Sequence, residues 1–136
     1  MSIEQEEAQP SNIESILTSI KKNLGIAEED TAFDADIVLH INSVFSELYQ
    51  LGVMVENGPF SIEGADESWS DFHTVADLNM VKSYMYLEVR LMFDPPTASL
   101  LSALERKRDE YEWRLQVAGD KLTDWSKDQN ESNNDN

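Results

Sequence analysis

The sequence predicts an all-α, mainly helical fold, a four-helix bundle-like domain with a long loop or small β-hairpin between its second and third helices. Apolar residues recur at the three- and four-residue spacing of amphipathic helices in four segments. Capping residues, glycine and proline mark the ends of those segments. We therefore predict a disordered N-terminus at 1–10, a helical domain at 11–117 and a flexible C-terminal tail at 118–136.

The first predicted helix begins with a capping-box pattern, in which Ser11 is the cap and Glu14 follows three positions later. Its last turn carries Lys21 and Lys22, which suit the negative end of the helix dipole, and Gly25 ends it. Apolar residues occupy one face: Ile13, Ile16, Leu17, Ile20 and Leu24.

The second predicted helix starts near Asp34, a residue that can cap it, and closes at Gly52. Its apolar stripe consists of Ile37, Ile41, Val44, Phe45 and Leu48. Only a short acidic linker at 27–31 separates it from the first helix, so we expect the two to pack as an antiparallel or crossed pair.

The segment at 53–76 breaks the helical pattern. Gly58-Pro59 marks a turn, and the alternation at 60–62 is typical of a short strand. Residues 69–72 predict one helical turn whose two aromatic side chains reach the core. A connection of this length is more typical of a functional loop than of an idle one, although a small hairpin also explains it.

The third predicted helix, from about Asp77 to Phe93, is apolar on almost every side. Such a helix lies at the centre of a fold or is covered by a neighbouring subunit. Because so short a chain has few elements to cover it, the pattern favours an oligomer. Pro95 and Pro96 then stop the helix.

The fourth predicted helix is capped by Thr97 and buries a stripe made of Leu100, Leu101, Leu104, Tyr111 and Leu115. Arg108 falls inside that stripe, where it either extends its charge to solvent or pairs with a carboxylate. The chain turns polar after Leu122, except for Trp125. This tryptophan either anchors another protein or packs back on the fourth helix, and both alternatives stay open.

Composition excludes several functions. The chain has no cysteine, which excludes disulfides, a thiolate nucleophile, cysteine-based zinc sites and iron–sulfur clusters. Its net charge is −17, so it does not grip a phosphate backbone. The acidity indicates either a solvated surface or a surface that DNA must pass without sticking. An acidic start and the lack of about 20 consecutive apolar residues predict no signal peptide and no membrane span.

We find no constellation of residues that predicts catalysis, so we expect the protein not to be an enzyme and to hold no metal or cofactor. His40 and His73 fall on different elements, and His40 is more typical of a partly buried core residue than of a base. No phosphate-binding loop or nucleophile elbow occurs. The basic run at 106–108 is too short and too balanced by acids for nucleic acid, but it suits an acidic protein partner.

Two stretches of the chain carry a characteristic combination of packing motifs. The first comprises Ile16–Lys22, Phe33–Phe45 and Gln50–Gly52. The second comprises Lys82–Thr97 and Glu112–Leu115. Together they resemble the head–tail connector, or adaptor, proteins encoded by siphophages and prophages, particularly those of Gram-positive hosts. The resemblance covers roughly residues 13–117.

This resemblance implies a structural virion protein that is made in the host cytoplasm and lies in the virion neck. It implies a homo-oligomeric ring of about twelve copies beneath the portal protein, with cyclic symmetry. A stopper or tail-completion protein docks below, and DNA passes through the bore without specific binding. In proteins of this kind the segment after the last long helix tends to reach the portal, which corresponds here to 116–136.

Three sets of interaction residues follow as hypotheses. The contact between subunits uses helix four with part of helix three, through Arg90, Arg106, Arg108 and Tyr111. The portal-binding tail uses Leu122 and Trp125, and the long loop reaches the next neck protein through Phe60 and Trp69.

Three other functions remain open. An acidic DNA mimic that inhibits a host DNA-binding enzyme shares the charge, but it needs carboxylates spaced like phosphates along an exposed surface. A small helical Mg²⁺-dependent nucleotide hydrolase needs paired carboxylate motifs on facing helices, which the sequence lacks. A stopper or head-completion protein tends to contain more strand.

Overall fold

The computed structural model describes the backbone of residues 14–134 and the side chains of residues 14–121. Four α-helices follow one another in this part of the chain, and they confirm the all-α prediction. They are α1 (Ile16–Asn23), α2 (Asp34–Gln50), α3 (Leu78–Phe93) and α4 (Ala98–Asn134). The packing order is α1 on α2, α2 on α3 and α3 on α4, with α3 in the middle as its apolar sides predict.

Helix α1 starts later than the sequence indicates. Its cap is Ser15, whose hydroxyl accepts a hydrogen bond from the Thr18 amide at 3.2 Å. Glu14, predicted to lie inside the helix, precedes it because its carbonyl accepts the Trp69 amide at 3.0 Å in an extended pairing with the long loop. The predicted cap, Ser11, lies outside the described residues.

A buried ammonium group joins α1 to α2. Lys21 is 3% exposed, and its Nζ lies 2.8 Å from Asp34 Oδ1 and donates to the Glu28 carbonyl at 3.1 Å. Helix α2 begins at Asp34 as predicted, but its cap position is Phe33, which makes no side-chain capping bond. Asp34 therefore neutralises Lys21 instead of capping its own helix.

The connection between α2 and α3 is a loop and not a hairpin. Residues 60–62 form no strand, because Asn42 of α2 binds both backbone groups of Ile62. The Ile62 amide donates to Asn42 Oδ1 at 2.8 Å, and Asn42 Nδ2 donates to the Ile62 carbonyl at 2.9 Å. Within residues 14–134 the only β-pairings are isolated bridges, one between Met54 and Thr74 and one between Ser15 and Ser68.

The predicted helical turn in this loop is a 3₁₀ turn at Trp69–Asp71. Trp69 and Phe72 are only 3% and 4% exposed, which confirms that both aromatic side chains enter the core. Most of the remaining core comes from α1, α2 and α3, and α4 contributes Leu115.

Helix α3 is capped by Asp77, whose carboxylate accepts a hydrogen bond from the Asn79 amide at 3.0 Å. The helix therefore starts where the sequence predicts it.

Helix α4 begins after Pro95-Pro96 and spans 37 residues. It therefore continues past residue 117, the predicted boundary of the helical domain, into the segment predicted as a flexible tail. Polar composition alone does not stop a helix, and no proline follows Pro96 in the sequence.

Candidate functional site

Three helices meet at a buried polar network. The hydroxyl of Tyr84 on α3 donates to Glu47 Oε2 on α2 at 2.9 Å, and Tyr84 is only 1% exposed. Burial, followed by the negative charge of Glu88, raises the pKa of Tyr84 above its usual value of 10. The phenol therefore stays protonated and acts as a donor that ties α2 to α3.

An ion pair joins α3 to α4 in the same network. Arg108 Nη1 lies 2.7 Å from Glu88 Oε1, and its Nε lies 2.7 Å from Asp109 Oδ1. The hydrogen bond to Glu88 is the main reason that the pKa of Arg108 is raised. Of the two alternatives for Arg108, pairing with a carboxylate is the one observed. This arginine therefore holds α4 in place within its own subunit.

The network contains more negative charge than its single arginine neutralises. Glu88 and Glu112 both act on Glu47, and burial is the largest cause of the raised pKa of Glu47. The charges of Glu88 and Glu112 raise this pKa further, while the hydrogen bond from Tyr84 lowers it. Because Tyr84 and Glu88 are buried, the network holds the helices together and does not offer a substrate site.

The described side chains contain no group of three or more acidic or histidine residues that could hold a metal ion. His40 is half-buried, with its ring 6.5 Å from that of Phe93, in agreement with its interpretation as a partly buried packing residue. His73 lies in the loop, where Nδ1 is 2.8 Å from Glu56 Oε1.

The four residues predicted for the subunit contact lie in different environments. Arg90 is half-buried and donates from Nη1 to the Tyr86 hydroxyl at 3.1 Å. Tyr111 is half-buried beneath the Lys107 ammonium, 5.2 Å from its ring centroid. Arg108 is occupied by Glu88. Arg106 is exposed and, among the described side chains, has no ion-pair partner, so it is the one available to a neighbour.

Sequence reasoning missed an exposed tryptophan on the same helix face. Trp113 is 65% exposed and stands seven residues, or two turns, after Arg106. Helical geometry contained the signal, because Trp113 is two positions from both Tyr111 and Leu115 and therefore lies opposite the apolar stripe. A large aromatic ring on a solvent-facing helix surface is typical of an interface anchor.

The loop residues predicted to reach another neck protein face inward. The ring centroid of Phe60 lies 5.0 Å from that of Phe45, and Trp69 donates from Nε1 to the Ser19 hydroxyl at 3.0 Å. Trp69 is buried and Phe60 half-buried, so the first is not available to a partner and the second only in part. Both hold the loop to α1 and α2, and the hypothesis about these two side chains needs this correction. The large apolar side chains of the loop that are exposed are Val55 and Val75, at 59% and 41%.

A groove of about 430 Å³ opens between α1, the start of α2 and the loop. Its apolar walls are Leu17, Ala35, Val38 and Ala65, and Gly64 of the loop also lines it. Its carboxylates are Asp34 and Glu63. Leu39, next to Val38 on α2, is 67% exposed.

The predicted tail residues Leu122 and Trp125 stand on α4, seven and ten residues after the buried Leu115. Their side chains lie outside the described part of the chain. Among the described residues, no helix is both long and apolar enough to cross a membrane.

A polar network that ties three helices together away from solvent is typical of a helical structural domain. The chain belongs to the phage connector protein family, whose model matches residues 16–121. The family match confirms the resemblance stated from the sequence. Searches of curated proteins and of solved structures gave no match.

Membership in this family identifies the chain as a structural protein of the bacteriophage particle, a connector between head and tail proteins. The family is one of structural proteins and not a known family of enzymes. The matched region ends at Lys121, so Leu122 and Trp125 lie beyond it.

Proposed function

We propose that this protein is the head–tail adaptor of a siphophage and forms a ring of about twelve copies beneath the portal. The ring lies in the virion neck, docks the stopper or tail-completion protein and lets DNA pass through its bore. The match of residues 16–121 to the phage connector family is the observation that carries this proposal.

The length of α4 supports a role in bridging two proteins. The helix spans 37 residues, about 55 Å at the α-helical rise. Gly119 is the last buried position among its described side chains, and the helix continues for about 22 Å to Asn134. An arm of this length, with Leu122 and Trp125 on it, suits a portal-binding segment.

The charge supports the passage of DNA without binding. The net charge is −17, and residues 37–76 contain six acids and no lysine or arginine. A ring of such subunits presents a negative bore to a polyanion, which lowers the affinity for the phosphate backbone. Acidic subunits that repel one another must then be held together by apolar contact and by exposed cations such as Arg106.

Quantitative mass spectrometry of purified virions of the encoding phage tests this proposal. We expect about as many copies of this protein as of the portal subunit, near twelve per particle. The portal and the major tail protein in the same sample serve as internal counting standards. Absence of the protein from intact virions would overturn the adaptor assignment and favour the acidic DNA mimic, which competition with DNA for a DNA-binding enzyme would then test.

A further inference from the structure

We propose that the ring closes through a head-to-tail contact in which Trp113 and Arg106 of one copy enter the groove of the next copy. The acceptor is the groove lined by Leu17, Val38 and Glu63 between α1, α2 and the loop. This inference rests on the proposed ring and adds which two surfaces of the subunit meet.

The donor surface combines an apolar anchor with an unpaired cation. Trp113 is 65% exposed, more than half of its surface, while the other two described aromatic residues with high exposure, Phe33 and Tyr49, are each 45% exposed. Arg106 lies two turns away on the same face and has no carboxylate within ion-pair distance among the described side chains. Exposed tryptophan and arginine are the residue types that most often carry the binding energy of a protein interface.

The acceptor surface has the complementary chemistry. Its apolar walls suit an indole ring, and Asp34 and Glu63 supply negative charge. Asp34 is engaged by Lys21, whereas the Glu63 side chain is exposed and has no ion-pair partner among the described residues. Glu63 is thus the carboxylate that a neighbouring arginine would meet. The surrounding segment, 37–76, has no lysine or arginine that would compete for it.

The two surfaces lie on opposite flanks of α2. Glu47 lies on one flank and contacts Tyr84 of α3. Helix α4, with the donor surface, packs on α3 at that side. The other flank carries Asn42, which binds the loop at Ile62, and Asp34, which binds α1. A donor on one side and a different acceptor on the other form a heterologous contact, and such contacts generate rings when the rotation closes.

Thiol cross-linking can test the contact because the chain contains no cysteine. Virions carrying Gln116→Cys together with Ala65→Cys are treated with a short bismaleimide and separated under denaturing conditions. Gln116 is exposed and stands one helical turn after Trp113, so this variant keeps the tryptophan in place. We expect a ladder from dimer upward. Virions with Gln116→Cys alone should give no dimer, because a heterologous contact does not bring two copies of the same residue together. The matched control is Val55→Cys with Ala65→Cys, since Val55 is also highly exposed but belongs to neither surface.

Each outcome separates the contact from the proposed function. Normal amounts of the protein in virions, without a ladder, would overturn the contact and leave the adaptor function intact. Cross-linking of Gln116→Cys to the portal or to itself would also overturn it. If the wild-type protein is absent from virions, the adaptor function fails, and the same cross-linking on concentrated purified protein then decides the contact.

A charge exchange provides a second test. Arg106→Glu and Glu63→Arg should each weaken assembly at least about tenfold, the change expected on losing a strong interface contact. The double variant Arg106→Glu, Glu63→Arg should recover most of that loss. Lys22→Glu carries the same charge change as Arg106→Glu at an exposed position outside both surfaces, where the described side chains provide no ion-pair partner, and it should have little effect on assembly. If both single variants weaken assembly and the double variant does not restore it, a direct pairing of Arg106 with Glu63 is contradicted.

Discussion

Gly119 of α4 lies against the backbone carbonyl of Leu51, at the end of α2. A Cβ built on Gly119 would stand 2.0 Å from the Leu51 oxygen, closer than any Cβ contact in real proteins. The neighbouring Gly52 has φ +81°, a left-handed conformation that ends α2 without strain because glycine has no side chain. Two glycines therefore allow the long helix to cross the end of α2 at backbone contact distance.

We expect Gly119→Ala to lower the free energy of unfolding by about 1–3 kcal/mol, because α4 must move away from a backbone carbonyl that cannot yield. This loss outweighs the gain of about 1 kcal/mol that alanine brings inside a helix. Urea denaturation monitored by circular dichroism measures it. Gly64→Ala is the control, since nothing lies within 4 Å of a Cβ there. A Gly119→Ala protein as stable as the wild type would contradict the close crossing.

We expect Arg108→Ala to lower the free energy of unfolding by about 2–3 kcal/mol, because it leaves the buried Glu88 without a partner. About a quarter of the Arg108 side chain is exposed, so this loss of unfolding free energy is smaller than the loss expected for a fully buried ion pair. Arg108→Met with Glu88→Leu should recover much of the loss, since it removes the charge that needs solvation.

Arg114→Ala is the matched control for this ion pair. Arg114 also pairs with a carboxylate, Glu110, but its side chain is half exposed, so its removal should change stability by less than about 0.5 kcal/mol. Thermal denaturation of these three variants and the wild type in one buffer compares them. Equal effects of Arg108→Ala and Arg114→Ala would mean that burial of Glu88 plays no part.

Local sequence signals predicted where a helix starts when its cap residue bonds a neighbouring amide. Where a contact from a distant part of the chain sets the start of a helix, the prediction was wrong. Asp77 starts α3 by bonding an amide two residues away, which the sequence displays directly. Ser15 replaced Ser11 as the cap of α1 because the preceding residue, Glu14, pairs with Trp69, more than fifty positions along the chain. No local pattern contains that pairing.

The interaction surfaces were predicted only in part for the same reason. The sequence indicated that Arg108 either pairs or reaches solvent, but its partner Glu88 is twenty residues away on another helix. Trp69 was expected to face a partner protein, yet Ser19 and Phe45 bury it once the loop folds over α1 and α2. The groove is assembled from three separate segments, so its existence depends on packing that a single sequence does not display.

The stability of the domain should increase as the pH falls from neutral toward 5, through Glu47. Its pKa in the folded state is raised above the ordinary value of 4.5, chiefly by burial. A raised carboxyl pKa means that the folded state binds the proton more tightly than the unfolded state. This contribution is fully present below pH 4.5 and is lost as the pH rises through the folded-state value.

Glu47→Gln isolates this effect because glutamine mimics the protonated side chain and keeps an oxygen that accepts the Tyr84 hydrogen bond. We expect the variant to be at least as stable as the wild type at pH 7, with the advantage shrinking as the pH falls toward 5. Urea midpoints at several pH values in one ionic strength measure the difference. A stability difference that does not change with pH would rule out Glu47 as the titrating group.

Asn42→Ala should release the loop from α2, because both hydrogen bonds to the Ile62 backbone are lost. We expect a loss of about 1–3 kcal/mol and faster amide hydrogen exchange near Ile62, while the interior of α3 stays protected. Asn79→Ala removes an exposed amide that does not reach the loop and serves as the control. Unchanged exchange at Ile62 would mean that the aromatic contacts of Phe60 hold the loop without Asn42.

Trp125→Ala separates the two functions that the sequence leaves open for this tryptophan. If Trp125 anchors the portal, the variant should bind purified portal at least about tenfold more weakly while its unfolding midpoint stays unchanged. If the residue packs back on its own domain, stability should fall instead and portal binding should follow only through unfolding. Trp113→Ala is the matched control, because it removes the same side chain from α4 at a position that is 65% exposed and, under the proposed contact, faces a neighbouring copy. Binding of single adaptor subunits to immobilised portal, measured beside thermal denaturation, distinguishes loss of the anchor from loss of the fold.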